Sequence, residues 1–156
     1  MRFQSEVLIS EVQRFIDGGQ CVILPVSGNS MLPFIVGDKD KVEFCPPPPV
    51  LQRGDVVMAK VDGDYYVVHR IVHIDGNQLT LEGDGNLGFQ EHCHRGDIVA
   101  QGIAVVRHNG RTRSLTTPGS RRLWRIWMGL GPFRRILLKV CRLMGRYRTG
   151  IKHNEI

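Results

Sequence analysis

The chain has 156 residues, a formal net charge of +6, 42% hydrophobic residues and four cysteines. That length gives one domain plus an appendage, with enough chain to bury a core without staples. Cys21, Cys45, Cys93 and Cys141 show no CxxC spacing, which argues against a disulfide scaffold or a zinc ribbon and for a reduced protein on the cytosolic side.

The net charge hides an asymmetry. Residues 1–97 hold 8 Lys+Arg against 14 Asp+Glu, whereas residues 98–156 hold 13 against the single acid Glu155. The pattern is an acidic body with a strongly basic tail. It divides the chain into an N-terminal helix over 1–19, a β body over 20–117 and a basic amphipathic tail over 118–156.

At the N-terminus, Leu8, Ile9, Val12, Phe15 and Ile16 recur at helical spacing behind Ser5, a candidate N-cap, and Gly18-Gly19 supplies the stop. Glu6, Glu11 and Asp17 interrupt the apolar residues, so the segment is neither a signal peptide nor a membrane span. It reads as a short amphipathic helix packed on the body.

Next comes "CVILPV", a β-branched run that predicts a strand leading straight into "SGNSMLP". Gly28 and Asn29 tolerate positive φ, so they form a tight turn that presents the Ser30 hydroxyl, and Pro33 keeps a helix from absorbing it. "KDKVEFC" predicts the following strand, and Pro46–Pro49 an extended connector that cannot lie inside a sheet. "RGDVVMAKV" and "YYVVHRIVHI" predict two further strands around the turn Asp62–Asp64. "DGN" makes a hairpin to "QLTLEG", "GDGNLGFQEH" reads as a loop, and "GDIVAQGIAVVRH" and "RTRSL" complete the body. Short strands with turn signals every 8 to 12 residues indicate a mainly β fold, a coiled antiparallel sheet or partly open barrel.

Three features in this body can carry chemistry. A serine hydroxyl such as Ser30 needs a base to take its proton and donors to stabilise an oxyanion. On its strand His69 shares a face with Val67 and Ile71, while Val68, Arg70 and Val72 point the other way. A histidine on an apolar face is a satisfied core residue or a base in a cleft. His73 continues that face but lies near the hairpin, which makes it the weaker candidate. Asp84, between two glycines in "LEGDGNLG", is a plain turn residue or a carboxylate that accepts the second imidazole N–H. The His-Cys-His tripeptide around Cys93 offers too few metal ligands in workable geometry, so no metal is expected.

In order, "SGNSMLPFIVGDKDKV", "RGDVVMAKVDGDYYVVHRIVHI" and "LEGDGN" resemble the superfamily that joins type I signal peptidases to the LexA-type self-cleaving repressors. The resemblance covers roughly Val22 to Val106. It implies that Ser30 is the nucleophile, that His69 is the base where most bacterial members have lysine, and that Asp84 orients His69. It also implies an oxyanion site formed by backbone N–H groups around Ser30 and Met31, with Gly28 and Asn29 as oxyanion- or substrate-binding neighbours. Relatives bind substrate as an added β-strand, so the implied partner is an extended peptide, such as a leader- or signal-like segment. No cofactor is expected. Gly28 stands where signal peptidases usually carry a hydroxyl two positions before the nucleophile. No Ala-Gly bond is present for self-cleavage, and no membrane anchor is legible.

Beyond Ser120 the tail alternates apolar residues with arginine. Phe133, Ile136, Leu137, Val140, Leu143 and Met144 form one stripe at 3 and 4 spacing, Arg135, Lys139, Arg142 and Arg146 another, and Gly131-Pro132 should split the tail into two helices. The apolar stripe either covers the β body or, with Trp124 and Trp127, lies on an anionic membrane through residues 120–148. Nucleic acid ranks last, because no helix-turn-helix or stacking platform is legible. The sequence thus favours a cytoplasmic serine endopeptidase with peripheral contact at the inner face of a membrane. A non-catalytic peptide-binding module docked by the same tail is the alternative.

Overall fold

A computed structural model describes the backbone of residues 2–3, 6–61 and 65–150 and the side chains of 8–61 and 65–144. The candidate cap Ser5, the turn Asp62–Asp64 and the Arg146 side chain lie outside the described residues. The fold is mainly β, a curled half-barrel with a short N-terminal helix and two C-terminal helices.

The strands are β1 (Arg2–Phe3), β2 (Val22–Pro25), β3 (Lys41–Cys45), β4 (Val56–Val61), β5 (Tyr65–Asp75), β6 (Gln78–Glu82), β7 (Gln90–His94), β8 (Ile98–Val106) and β9 (Thr112–Ser114). Helix α1 spans Glu6–Asp17, α2 Pro118–Gly129 and α3 Phe133–Gly150. The main sheet runs β2-β3-β8-β4-β5-β6-β7, with β1 added to β5 and β9 to β8. All these pairings are antiparallel.

Strict side-chain alternation divides the interior into two layers. Val56, Met58 and Val68 enter one core cluster with Val42, Phe44 and Val105, beneath Ile9, Val12 and Ile16 of α1. Their neighbours Val57, Ala59, Val67 and Ile71 enter the other, with Leu79, Leu81 and Cys93. Because β4 and β5 are buried on both faces, they read as continuous apolar runs rather than as alternating strands.

Two expectations are corrected here. Gln90–His94 is a strand, not part of a loop; it pairs with β6 in the register Leu81↔Glu91 and Leu79↔Cys93. Its polar sequence hides it, since an edge strand exposes His92 and His94 and buries only Glu91 and Cys93. The alternation also turns both histidines away from Cys93.

Cys21 and Cys45 form a disulfide rather than staying reduced. Antiparallel pairing of Val22 with Phe44 brings the flanking cysteines opposite each other, although 24 residues separate them. Cys93 and Cys141 remain free. Cys21, Glu43 and Cys45 approach closely enough to suggest a cation group, but both sulfurs are used in the disulfide.

The tail forms two helices, and its apolar residues divide between the interior and the outer surface. Pro118 at the first turn and Thr117, whose hydroxyl accepts from Ser120 N–H, start α2. The break before α3 falls at Gly131, where φ is +50°. Trp124, Trp127 and Leu138 fill the first core, while the stripe from Phe133 to Met144 faces outward. The side of α3 that meets the body carries Arg134 and Leu138 instead.

Candidate active site

The β2–β3 hairpin carries Ser30 in a long connection, and several contacts fix that connection's path. Gly28 has a φ of +89°, and the Gly37 backbone packs so closely on Gly28 that a side-chain carbon at Gly37 would collide with it. Farther along, Asp40 accepts from the Val36 N–H at 2.8 Å and pairs with Arg107, which also donates to the Phe34 carbonyl at 2.9 Å. Met31, Leu32, Phe34 and Ile35 are buried in the first core. Ser30 is thereby held on a short, anchored arch with its hydroxyl toward β5. Since the Met31 side chain is completely buried, any role it has at the site falls to its backbone.

His69 lies near the middle of β5 and is 2% exposed. Its Nε2 is 3.1 Å from Ser30 Oγ, and its Nδ1 is 2.7 Å from Glu91 Oε2. A carboxylate only accepts, so Nδ1 donates to Glu91 and Nε2 is left as the acceptor for the serine hydroxyl. Sheet register accounts for the partnership. Ile71 pairs with Leu81 and Leu81 with Glu91, which sets Glu91 on the face of the sheet that His69 shares with Ile71. His73, beyond the irregular register between Ile71 and His73, is exposed.

The carboxylate that the resemblance assigned to His69, that of Asp84, is bonded to Arg70. It takes two bonds from Arg70 Nε, at 2.9 and 3.2 Å, and one from Nη2 at 2.8 Å. Arg70 also donates from Nη1 to the Gly54 carbonyl at 2.8 Å and lies against the rings of Phe34 and Trp124. Period-two alternation is the reason: His69 and Arg70 are sequence neighbours on opposite faces, and the Asp84 loop arrives on the arginine's side. Burial pushes the Asp84 carboxyl up, opposed by the nearby Arg70 and Arg134 guanidiniums.

The Asp84 loop still builds the site through its backbone. Gly85 N–H donates to the Ser30 carbonyl at 2.7 Å. A Cβ on Gly83 would strike that carbonyl, and one on Gly85 would lie 2.7 Å from the Asn29 carbonyl. The glycines on both sides of Asp84 therefore let the loop lie directly under the serine arch. Trp127 Nε1 and Arg134 Nη2 donate to the Asp84 carbonyl at 2.9 and 3.1 Å, so the C-terminal helices brace the loop from behind. An open cleft of about 480 Å³, lined by Gly85, Asn86, Leu87, Phe89 and Arg142, lies where the loop meets α3.

The structure thus brings together Ser30 and His69, both singled out in the sequence, and adds Glu91 and the Arg70–Asp84 pair, which the sequence reading did not anticipate. The available signal for Glu91 was a carboxylate two residues from Cys93, at an inward position of a short alternating segment.

A family model described as peptidase S24-like matches residues 3–105, about two thirds of the chain and all of the serine arch, β5 and β7. The chain belongs to the peptidase S24-like family. Membership agrees with the superfamily resemblance of the serine box and the β5 strand and associates this S24-like chain with serine-peptidase chemistry. The match ends before α2 and α3. Comparison with curated proteins gives no match.

Proposed function

We propose that this S24-like protein is a serine peptidase that hydrolyses an extended peptide, with Ser30 as nucleophile, His69 as general base and then acid, and Glu91 holding the imidazole. The observation that carries the reading is the continuous series from Ser30 Oγ through His69 to Glu91, with spacings of 3.1 and 2.7 Å. His69 Nε2 would take the hydroxyl proton as Oγ attacks the scissile carbonyl, and would return it to the leaving amine. Glu91 would stabilise the imidazolium between the two steps. Backbone N–H groups of the arch from Gly28 to Met31 would receive the oxyanion.

Strand β2 supports the substrate class. It ends the main sheet on one side, exposes Ile23, and runs directly into the arch. A peptide that adds to this edge as a further strand would pass the Ser30 hydroxyl.

The experiment is incubation of wild type and Ser30→Ala with a diverse peptide library, with new termini read by mass spectrometry. New termini with wild type alone are the expected result. Peptide capture by both proteins without cleavage would replace the peptidase with a binding module on the same scaffold.

A further inference from the structure

The tail carries an apolar surface that the fold does not cover. Helices α2 and α3 turn Trp124, Trp127 and Leu138 inward, yet their outer sides leave Ile126, Phe133, Ile136, Val140, Leu143 and Met144 between 44 and 64% exposed. A lone exposed aliphatic residue is ordinary, but a continuous group of this size marks a contact surface. Arg122, Arg125, Arg135 and Lys139 are exposed on the same helices, and residues 98–150 contain no Asp or Glu. The surface therefore combines aliphatic side chains with cations and includes no acid.

We propose that α2 and α3 dock the protein in the plane of an anionic lipid surface. A bilayer interface receives both components at once, aliphatic side chains below the headgroups and cations among the phosphates. Nucleic acid would pair the cations and leave the aliphatic stripe in water. A second copy would cover the stripe but would bring two cationic margins together. No described helix is long and apolar enough to cross a membrane, so the contact lies flat. Family membership does not require this surface, since the match stops at residue 105.

Docking would also place the candidate site near the bilayer. Arg142 of α3 donates to the Gly85 carbonyl at 3.4 Å, and Gly85 N–H bonds the Ser30 carbonyl. Exposed Leu87 and Phe89 share the cleft with Arg142 and extend the apolar surface onto this loop. One loop then separates the lipid-facing helix from the serine arch.

Removal of the tail would not test the proposal, because it would strip three core side chains from the body. Point substitutions on the outer side leave those in place. The full chain is sedimented with vesicles of phosphatidylcholine containing about one third phosphatidylglycerol, and with phosphatidylcholine alone. The comparison proteins are Ile136→Asp with Val140→Asp, and Arg135→Glu with Lys139→Glu, each first shown to melt like wild type. We expect binding to the anionic vesicles only, reduced at least about tenfold in either double variant. Equal binding to both vesicle types, absence of binding, or undiminished binding by either variant would overturn the proposal. So would a wild-type dimer in light scattering that Ile136→Asp splits, since a second copy would then occupy the face.

Discussion

His69 Nδ1 donates to Glu91 Oε2 across 2.7 Å from the middle of β5 to the sheet's last strand, with both side chains buried. The next residue, Arg70, is equally buried and engages Asp84 on the other face. Two acid–base pairs thus lie back to back across one strand. They differ in what their loss would do.

For Glu91→Gln we expect a well-folded protein whose turnover, or labelling of Ser30 by a fluorophosphonate, falls by roughly a hundredfold or more, because an amide can hold the imidazole in the wrong tautomer. For Asp84→Asn the expected loss is stability. An uncompensated buried Arg70 costs about 3–5 kcal/mol, which thermal unfolding reads as a drop on the order of 10 °C in Tm. A normal melting curve with abolished labelling in Asp84→Asn, and full labelling in Glu91→Gln, would restore the role that the sequence suggested for Asp84.

Gly83→Ala tests the packing beneath the serine. The added methyl would meet the Ser30 carbonyl and lie 3.1 Å from Ser30 Cβ, and backbone cannot yield as a flexible side chain can. We expect the arch to be pushed off His69, with fluorophosphonate labelling reduced at least about tenfold, since small displacements of a nucleophile have large rate effects. Gly76→Ala, in a distant turn with φ +54° and open space around it, is the control: it strains the backbone locally and should leave labelling unchanged.

Much of this organisation was legible in the sequence because it rests on local rules. The turn residues around Ser30, the alternation that separates His69 from Arg70, and the helix break at Gly131-Pro132 all follow from backbone preferences within a few residues. What escaped depended on long-range register. Glu91 meets His69 only because β6 and β7 pair with Leu81 opposite Glu91, and Cys21 meets Cys45 only through the pairing of β2 with β3. Asp84 was placed beside the right strand but on the wrong face, since the approach of a loop to one side of a sheet is a tertiary property. The apolar stripe of α3 showed a helix but not what the stripe faces, because periodicity is the same for a core and for a docking surface.

The two tryptophans of α2 offer a comparison with matched packing. Trp124 and Trp127 are both buried, but Trp127 Nε1 donates to the Asp84 carbonyl at 2.9 Å whereas Trp124 Nε1 has no hydrogen-bond partner among the described residues. Each Trp→Phe change removes similar apolar volume. Trp127→Phe also loses a hydrogen bond, and Trp124→Phe removes a polar group already unsatisfied. Denaturant melts should therefore show Trp127→Phe as the more destabilised, by about 1–2 kcal/mol. The opposite order would mean that the Trp127 bond to the loop does not stabilise the fold.

The cysteines separate the observed covalent structure from the reduced one that their spacing suggested. Without reductant, the denatured chain should present two titratable thiols to Ellman's reagent, Cys93 and Cys141, because Cys21 and Cys45 are joined; four thiols would mean that the disulfide is absent in solution. In the folded protein, burial pushes the Cys93 thiol up to about 12, with Asp97 and Glu91 adding in the same direction. The thiolate is the reactive form. A raised value leaves Cys93 almost wholly protonated through the neutral and mildly alkaline range, so until the protein unfolds its reactivity should stay far below that of an ordinary thiol from pH 7 to pH 9. Half-exposed Cys141 is then the site that reacts in the native state. Rapid native labelling of Cys93, located by peptide mapping, would show that β7 opens from β6, and with it the seat of Glu91.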